Sequence, residues 1–169
     1  MYWLNCLGVL VEKLRRLSEE RGVSVEELVI DKLLEEVDPE NRGEVHWEMA
    51  REYLREAREE LDRGDYRQAS EKIWGAAVLA VKALAYERGR KRLTSHGELW
   101  RYVDELIRET GDEELGDLWR TATAMHINFY ENWAPKGEVE RSLRRVEALL
   151  GKTLRIKAIK GNMTVLVLS

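Results

Sequence analysis

From Trp3 to Leu150 the apolar residues of this chain recur at alternating steps of three and four, the spacing that gathers them on one side of a helix. A strand alternates its faces every second residue and cannot use such a pattern. The periodicity therefore sets the fold class before any other property is weighed. Two prolines in 169 residues, and long tracts rich in Ala, Glu, Leu, Arg and Lys, point the same way. The expected fold is all-α, an antiparallel up-and-down helical bundle.

Capping and breaking residues divide the pattern into seven helices. The first carries Trp3, Leu7, Leu10, Leu14 and Leu17 and stops at Arg21-Gly22. Ser24, with Glu27 three residues on, forms a capping box for the second, which runs through Leu28 and Leu33 to Asp38-Pro39. A third presents Trp47, Ala50, Leu54, Ala57 and Leu61 before Gly64. Asp65 caps the fourth, whose stripe of Ala69, Ile73, Ala76, Ala80 and Ala83 is nearly all small. Small side chains let helix backbones approach closely, so this helix is expected at the centre. Ser95 and Glu98 form a second capping box, for a helix carrying Leu99, Val103 and Leu106. The sixth starts at Asp112 or a neighbour and extends through Leu115, Leu118, Ala122, Met125 and Phe129 to Pro135. The seventh starts near Glu138, carries Val139, Leu143, Val146 and Leu150, and is closed by Gly151. Three regions follow: an N-terminal helical pair over 1–40, a bundle over 41–150 with short connections, and 151–169. In the last, Leu154, Ile156 and Ala158 alternate with Thr153, Arg155 and Lys157 ahead of the turn-like Lys160-Gly161-Asn162. That region reads as a basic tail or a short β-hairpin.

A chain of this length suits one compact domain. The lone Cys6 excludes an internal disulfide and a multi-cysteine metal site, which fits a reducing, cytoplasmic setting. The most apolar windows, Met1–Val11 and Val78–Leu84, are too short for a membrane span, and Met1–Val11 lacks the basic start of a signal peptide. Net charge is −4, so no global positive field advertises nucleic acid. Charged residues make up 36% of the chain, with 19 Arg against 9 Lys and a single Gln, as in proteins from hot environments.

Glycine-rich phosphate loops and paired metal-ligating histidines are absent from the sequence, and no cofactor is expected. Of three histidines, His46 begins a helix beside Trp47 as a surface or partly packed residue, and helix-start hydrogen bonding accounts for His96. His126 shares the apolar side of its helix with Trp119, Ala122 and Phe129, where a packed imidazole is the plain reading. Arg120 lies six residues earlier, about 120° round the helix, so the two converge only if a second copy brings its own pair alongside. Such a cluster has the parts for cutting RNA without a metal. Imidazole can move the protons of the 2′-hydroxyl and the leaving oxygen, and guanidinium matches phosphate oxygens.

The block Gly64-Asp65-Tyr66-Arg67-Gln68-Ala69-Ser70-Glu71-Lys72-Ile73-Trp74-Gly75-Ala76-Ala77, continuing Val81-Lys82-Ala83-Leu84-Ala85, resembles the hallmark helix of the archaeal PaREP family. Arg21–Leu28, Asp38-Pro39-Glu40 and Ser95-His96-Gly97-Glu98-Leu99 are similar to it as well, and the resemblance covers about Leu14 to Leu150. It implies a place in the HEPN superfamily of helical bundles, which commonly form homodimers and in many branches are metal-independent ribonucleases acting as toxins or defence effectors. The implied site is an Arg followed, after four to six residues, by a His at the dimer interface. Arg120 and His126 fit with five between, and Thr121 follows the Arg only loosely in the expected polar type. Where one branch carries a modified Tyr two residues after the His, this chain has Asn128, with Tyr130 two further on, and Thr121, Asn128 and Tyr130 are the expected substrate contacts of the site. The implied partners are a second copy, RNA and an antitoxin protein. A non-catalytic dimeric interaction module on the same fold is the alternative.

The connector Arg88, Arg90, Lys91 and Arg92 is a second expected contact for a phosphate backbone, against a plain reading as helix-end cations. The six tryptophans fit packing better than base stacking. Residues Leu14–Val37 suggest the paired helices of ribbon-helix-helix repressors, without the basic strand those insert into DNA.

Overall fold

The computed structural model describes residues 2–21, 25–37 and 40–167, and among these it contains seven α-helices and no strand. They are α1 (Tyr2–Arg21), α2 (Val25–Val37), α3 (Arg42–Arg63), α4 (Tyr66–Gly89), α5 (His96–Thr110), α6 (Glu114–Glu131) and α7 (Lys136–Val167).

The small-residue helix is the axis of the bundle. Every residue of α4 from Ala76 to Ala85 is buried, with α3 along its length and α6 and α7 on its other sides. α3 turns Trp47, Ala50, Leu54, Ala57 and Leu61 inward, as the spacing requires. The approach is tight at Gly75, where a Cβ would stand 2.5 Å from the Tyr53 ring. Between α3 and α4 the chain reverses through Gly64 at φ 80°, a left-handed conformation suited to glycine, and Asp65 accepts the Gln68 amide at 3.0 Å as the expected cap. The Ser95 hydroxyl accepts the Glu98 amide at 3.3 Å, while the Glu98 carboxylate takes the Thr94 amide at 2.6 Å, one residue earlier than a strict capping box.

Two expectations change at the C-terminal end. Gly151 does not close α7, and the alternating segment after it is helix rather than hairpin through Val167. The cause is the bundle surface. Val146, Leu149, Leu150 and Thr153 continue a three-and-four rhythm against the core, and Leu154 and Ile156 pack at its edge. Thr153 donates to the carbonyls of Leu149 and Leu150, and Lys157 reaches Glu87 of α4 at 2.8 Å. The N-terminal pair α1 and α2 pack on each other. The Gly22 stop and the Ser24 cap lie outside the described residues. Leu28 and Leu34 of α2 are buried but stand apart from the continuous core.

Candidate functional site

α6 carries the residues singled out in the sequence. Its inward face buries Leu118, Trp119, Ala122 and Met125, and this seats His126 at the edge of an aromatic cluster contributed by three helices. The His126 ring lies 5.0 Å from Trp74 of α4, 4.9 Å edge-to-face from His96 at the start of α5, and 5.3 Å from Tyr130. Trp74 in turn touches His96 and Trp119. Burial, and then the charge His96 carries when protonated, push the His126 pKa down to about 4, so the ring is neutral at pH 7. His96 is the partner sequence reasoning missed. Thirty residues and a different helix separate the two imidazoles, and no local pattern links them.

Arg120 does not join this cluster within the chain. It is exposed and ion-paired with Asp117 at 2.5 Å, while Thr121 donates to the Asp117 carbonyl. Asn128, expected near a substrate, is instead fully buried. Its amide donates to Ser70 Oγ at 2.8 Å and its carbonyl accepts the Ala134 N–H at 2.6 Å, which fixes the turn from α6 into α7. Tyr130 faces solvent, and its hydroxyl pKa is raised by burial of part of the ring and by the carboxylates of Glu71 and Glu19.

Several large apolar side chains are exposed on the same elements. Tyr130 is 66% exposed, Trp133 49%, Ile127 45% and Trp100 39%, all on α5, on α6 or just after it. Exposed large apolar side chains that form a contiguous patch mark surfaces that meet another molecule. Trp47, Trp74 and Trp119 are core residues.

The basic connector is largely committed. Arg88 pairs with Glu109, and Lys91 pairs with Glu105 at 2.9 Å and lies over the Tyr102 ring. Arg90, in the left-handed conformation that ends α4, donates to the Glu40 carbonyl at 2.9 Å. Arg92 is exposed beside a second polar centre.

That centre was not foreseen. Lys82 is the lone charge in the run Ala76–Ala85, and its ammonium meets Asp31 of α2 at 2.8 Å. His46 Nε2 stands 3.3 Å from the other Asp31 oxygen, and the Arg42 guanidinium donates to the Asp31 backbone carbonyl. Burial raises the Asp31 pKa, but His46 and Lys82 outweigh it and hold the carboxyl well below the usual range. Contrary to the surface or partly packed role expected for it, His46 is enclosed.

Among the described residues no group of three or more His, Cys, Asp or Glu is placed to hold a metal ion, and no helix is long and apolar enough to cross a membrane. The model of the archaeal PaREP1/PaREP8 family matches residues 45–150. A crystal structure of a protein from Sulfolobus solfataricus is similar at a TM-score of 0.56, with 27% identity, over 63% of this chain and 94% of its own. No curated protein matches.

Proposed function

Because the chain belongs to the archaeal PaREP1/PaREP8 family and leaves aromatic side chains uncovered beside His126, we propose that it acts as a homodimer through its α6 face. The fuller reading is a HEPN-like, metal-independent endoribonuclease of toxin or defence type, working in the cytoplasm with an antitoxin protein as its companion. In this reading the neutral His126 accepts the 2′-hydroxyl proton as that oxygen bonds to phosphorus. The phosphorus–O5′ bond breaks, and the protonated imidazole returns a proton to the leaving oxygen. Arg120 of the second copy, brought alongside in the dimer, exchanges Asp117 for the phosphate oxygens, with Thr121 next to it and Tyr130 beside His126. The observation that carries the proposal is the exposed Tyr130 ring 5.3 Å from the neutral His126 imidazole, on a helix that also exposes Ile127.

Arg120's commitment to Asp117 favours the second reading, a non-catalytic dimeric module in which His126 serves packing. One experiment separates the two. Purified protein in chelator is incubated with RNA, its mass is followed by light scattering, and His126→Ala and Tyr130→Glu are compared with the parent. Under the nuclease reading the parent is a dimer that cleaves RNA, His126→Ala is an inactive dimer, and Tyr130→Glu is a monomer. A dimer without cleavage leaves the interaction module, and a monomeric parent removes both readings.

A further inference from the structure

The polar centre between α2 and the bundle is independent of His126. Arg42, His46, Lys82, Lys91 and Arg92 line one cleft together with a single acid, Asp31. Lys91 has Glu105 as its partner outside the cleft. Lys82 is 3% exposed, and a buried cation persists only with an anion beside it; His46, 2% exposed, is enclosed in the same centre.

Asp31 supplies that anion, but it fits the donors incompletely. Its two oxygens face Lys82 at 2.8 Å and His46 Nε2 at 3.3 Å, and the Arg42 guanidinium makes no bond to the carboxylate. The planar fork of that guanidinium is matched instead to one peptide carbonyl. His46 Nδ1, enclosed in the same centre, has no hydrogen-bond partner among the described residues. A phosphate group carries more charge than a carboxylate and offers enough oxygens for Lys82, His46 and Arg42 together.

The acid and the groups it faces also come from different helices. His46 and Lys82 fall inside the family-matched segment 45–150, and Asp31 on α2, like Arg42 at the start of α3, falls before it. The helix that carries Asp31 places its buried leucines outside the continuous core. As it stands, the cleft has room for about one water molecule, so any larger anion must take the place of the carboxylate.

We propose that Arg42, His46 and Lys82 form a binding site for a phosphate group, free or carried on a nucleotide, which Asp31 of α2 occupies until phosphate displaces it. Binding then releases α2 from the bundle.

The test titrates inorganic phosphate, and in parallel a nucleoside monophosphate, into the full chain by calorimetry at constant ionic strength, with chloride as the reference. Asp31→Ala is expected to bind at least one of the two ten times more tightly than the parent, and Lys82→Met in the Asp31→Ala background is expected to lose that binding. Preference for the nucleotide assigns the carried form, and preference for phosphate the free one. Should Asp31→Ala fail to fold, Asp31→Asn is read in the same way. In the unmodified protein, amides 25–37 should exchange with solvent faster when phosphate is added while those of α4 do not. Equal affinity with and without Asp31, binding that survives Lys82→Met, or unchanged exchange in α2 overturns the proposal.

Discussion

Removing the Asn128 side chain tests whether this residue holds the fold or contacts a ligand. Asn128→Ala would leave the Ala134 N–H without its acceptor inside the protein, at a cost of about 1–3 kcal/mol. Ser70 Oγ would lose a donor but keep its own bond to the Tyr66 carbonyl at 2.8 Å, so its share is about 0.5–1 kcal/mol. The void left behind adds under about 1 kcal/mol at ~24 cal/mol per Å³. The total is about 3 kcal/mol, a fall of roughly 6–12 °C in Tm for a chain of this size. Urea unfolding with tryptophan fluorescence measures it, and a cycle with Ser70→Ala should show coupling of about 1 kcal/mol. A loss below about 1 kcal/mol would refute the reasoning and return Asn128 to the candidate ligand contacts.

Two further outcomes follow from the packing. His126 titrates near 4 when folded and near 6.5 when unfolded, so the unfolded chain binds the extra proton between those values. The contribution of this group is constant above pH 6.5 and destabilises progressively from 6.5 down to 4. Because the ring is partly exposed, the loss is about 1–2 kcal/mol, less than the full shift implies. Unfolding free energies at pH 7.5, 5.5 and 4.5 should show this extra slope in the parent and not in His126→Phe; parallel curves would refute it. Gly75→Ala should destabilise by about 1–2 kcal/mol although alanine is the better helix former, because its Cβ would meet the Tyr53 ring. In a Tyr53→Ala background the same change should turn stabilising by about 0.5–1 kcal/mol, and a change of equal sign in both backgrounds would discard the steric account.

What the sequence made legible was local. The inward stripe of α3, the turn at Gly64-Asp65 and the cap at Ser95 each depend on residues within a few positions of one another, and the structure contains all three. The separation of Arg120 from His126 was likewise readable, since it follows from helical pitch alone. The tail misled because Leu154 and Ile156, two apart, satisfy a strand pattern and also a helix whose neighbouring positions are Leu150 and Thr153. Only contact with the bundle decides between them. The His96–His126 pair and the Asp31–Lys82–His46 centre join residues of different helices 15 to 51 positions apart, beyond the reach of periodicity. One signal was available: Lys82 breaks an otherwise apolar decapeptide, and an ammonium there demands a counter-charge from elsewhere.

The uniform enclosure of α4 has a consequence for how the helix is oriented about its own axis. Turning the stretch Ala76–Ala85 by one residue would present another set of alanines and valines to the same neighbours at little hydrophobic cost, so apolar contact within it selects no azimuth. Ser70 and Lys82, each with a specific partner across a helix boundary, and Gly75, where the Tyr53 ring leaves no room for a side chain, are the pins that set it.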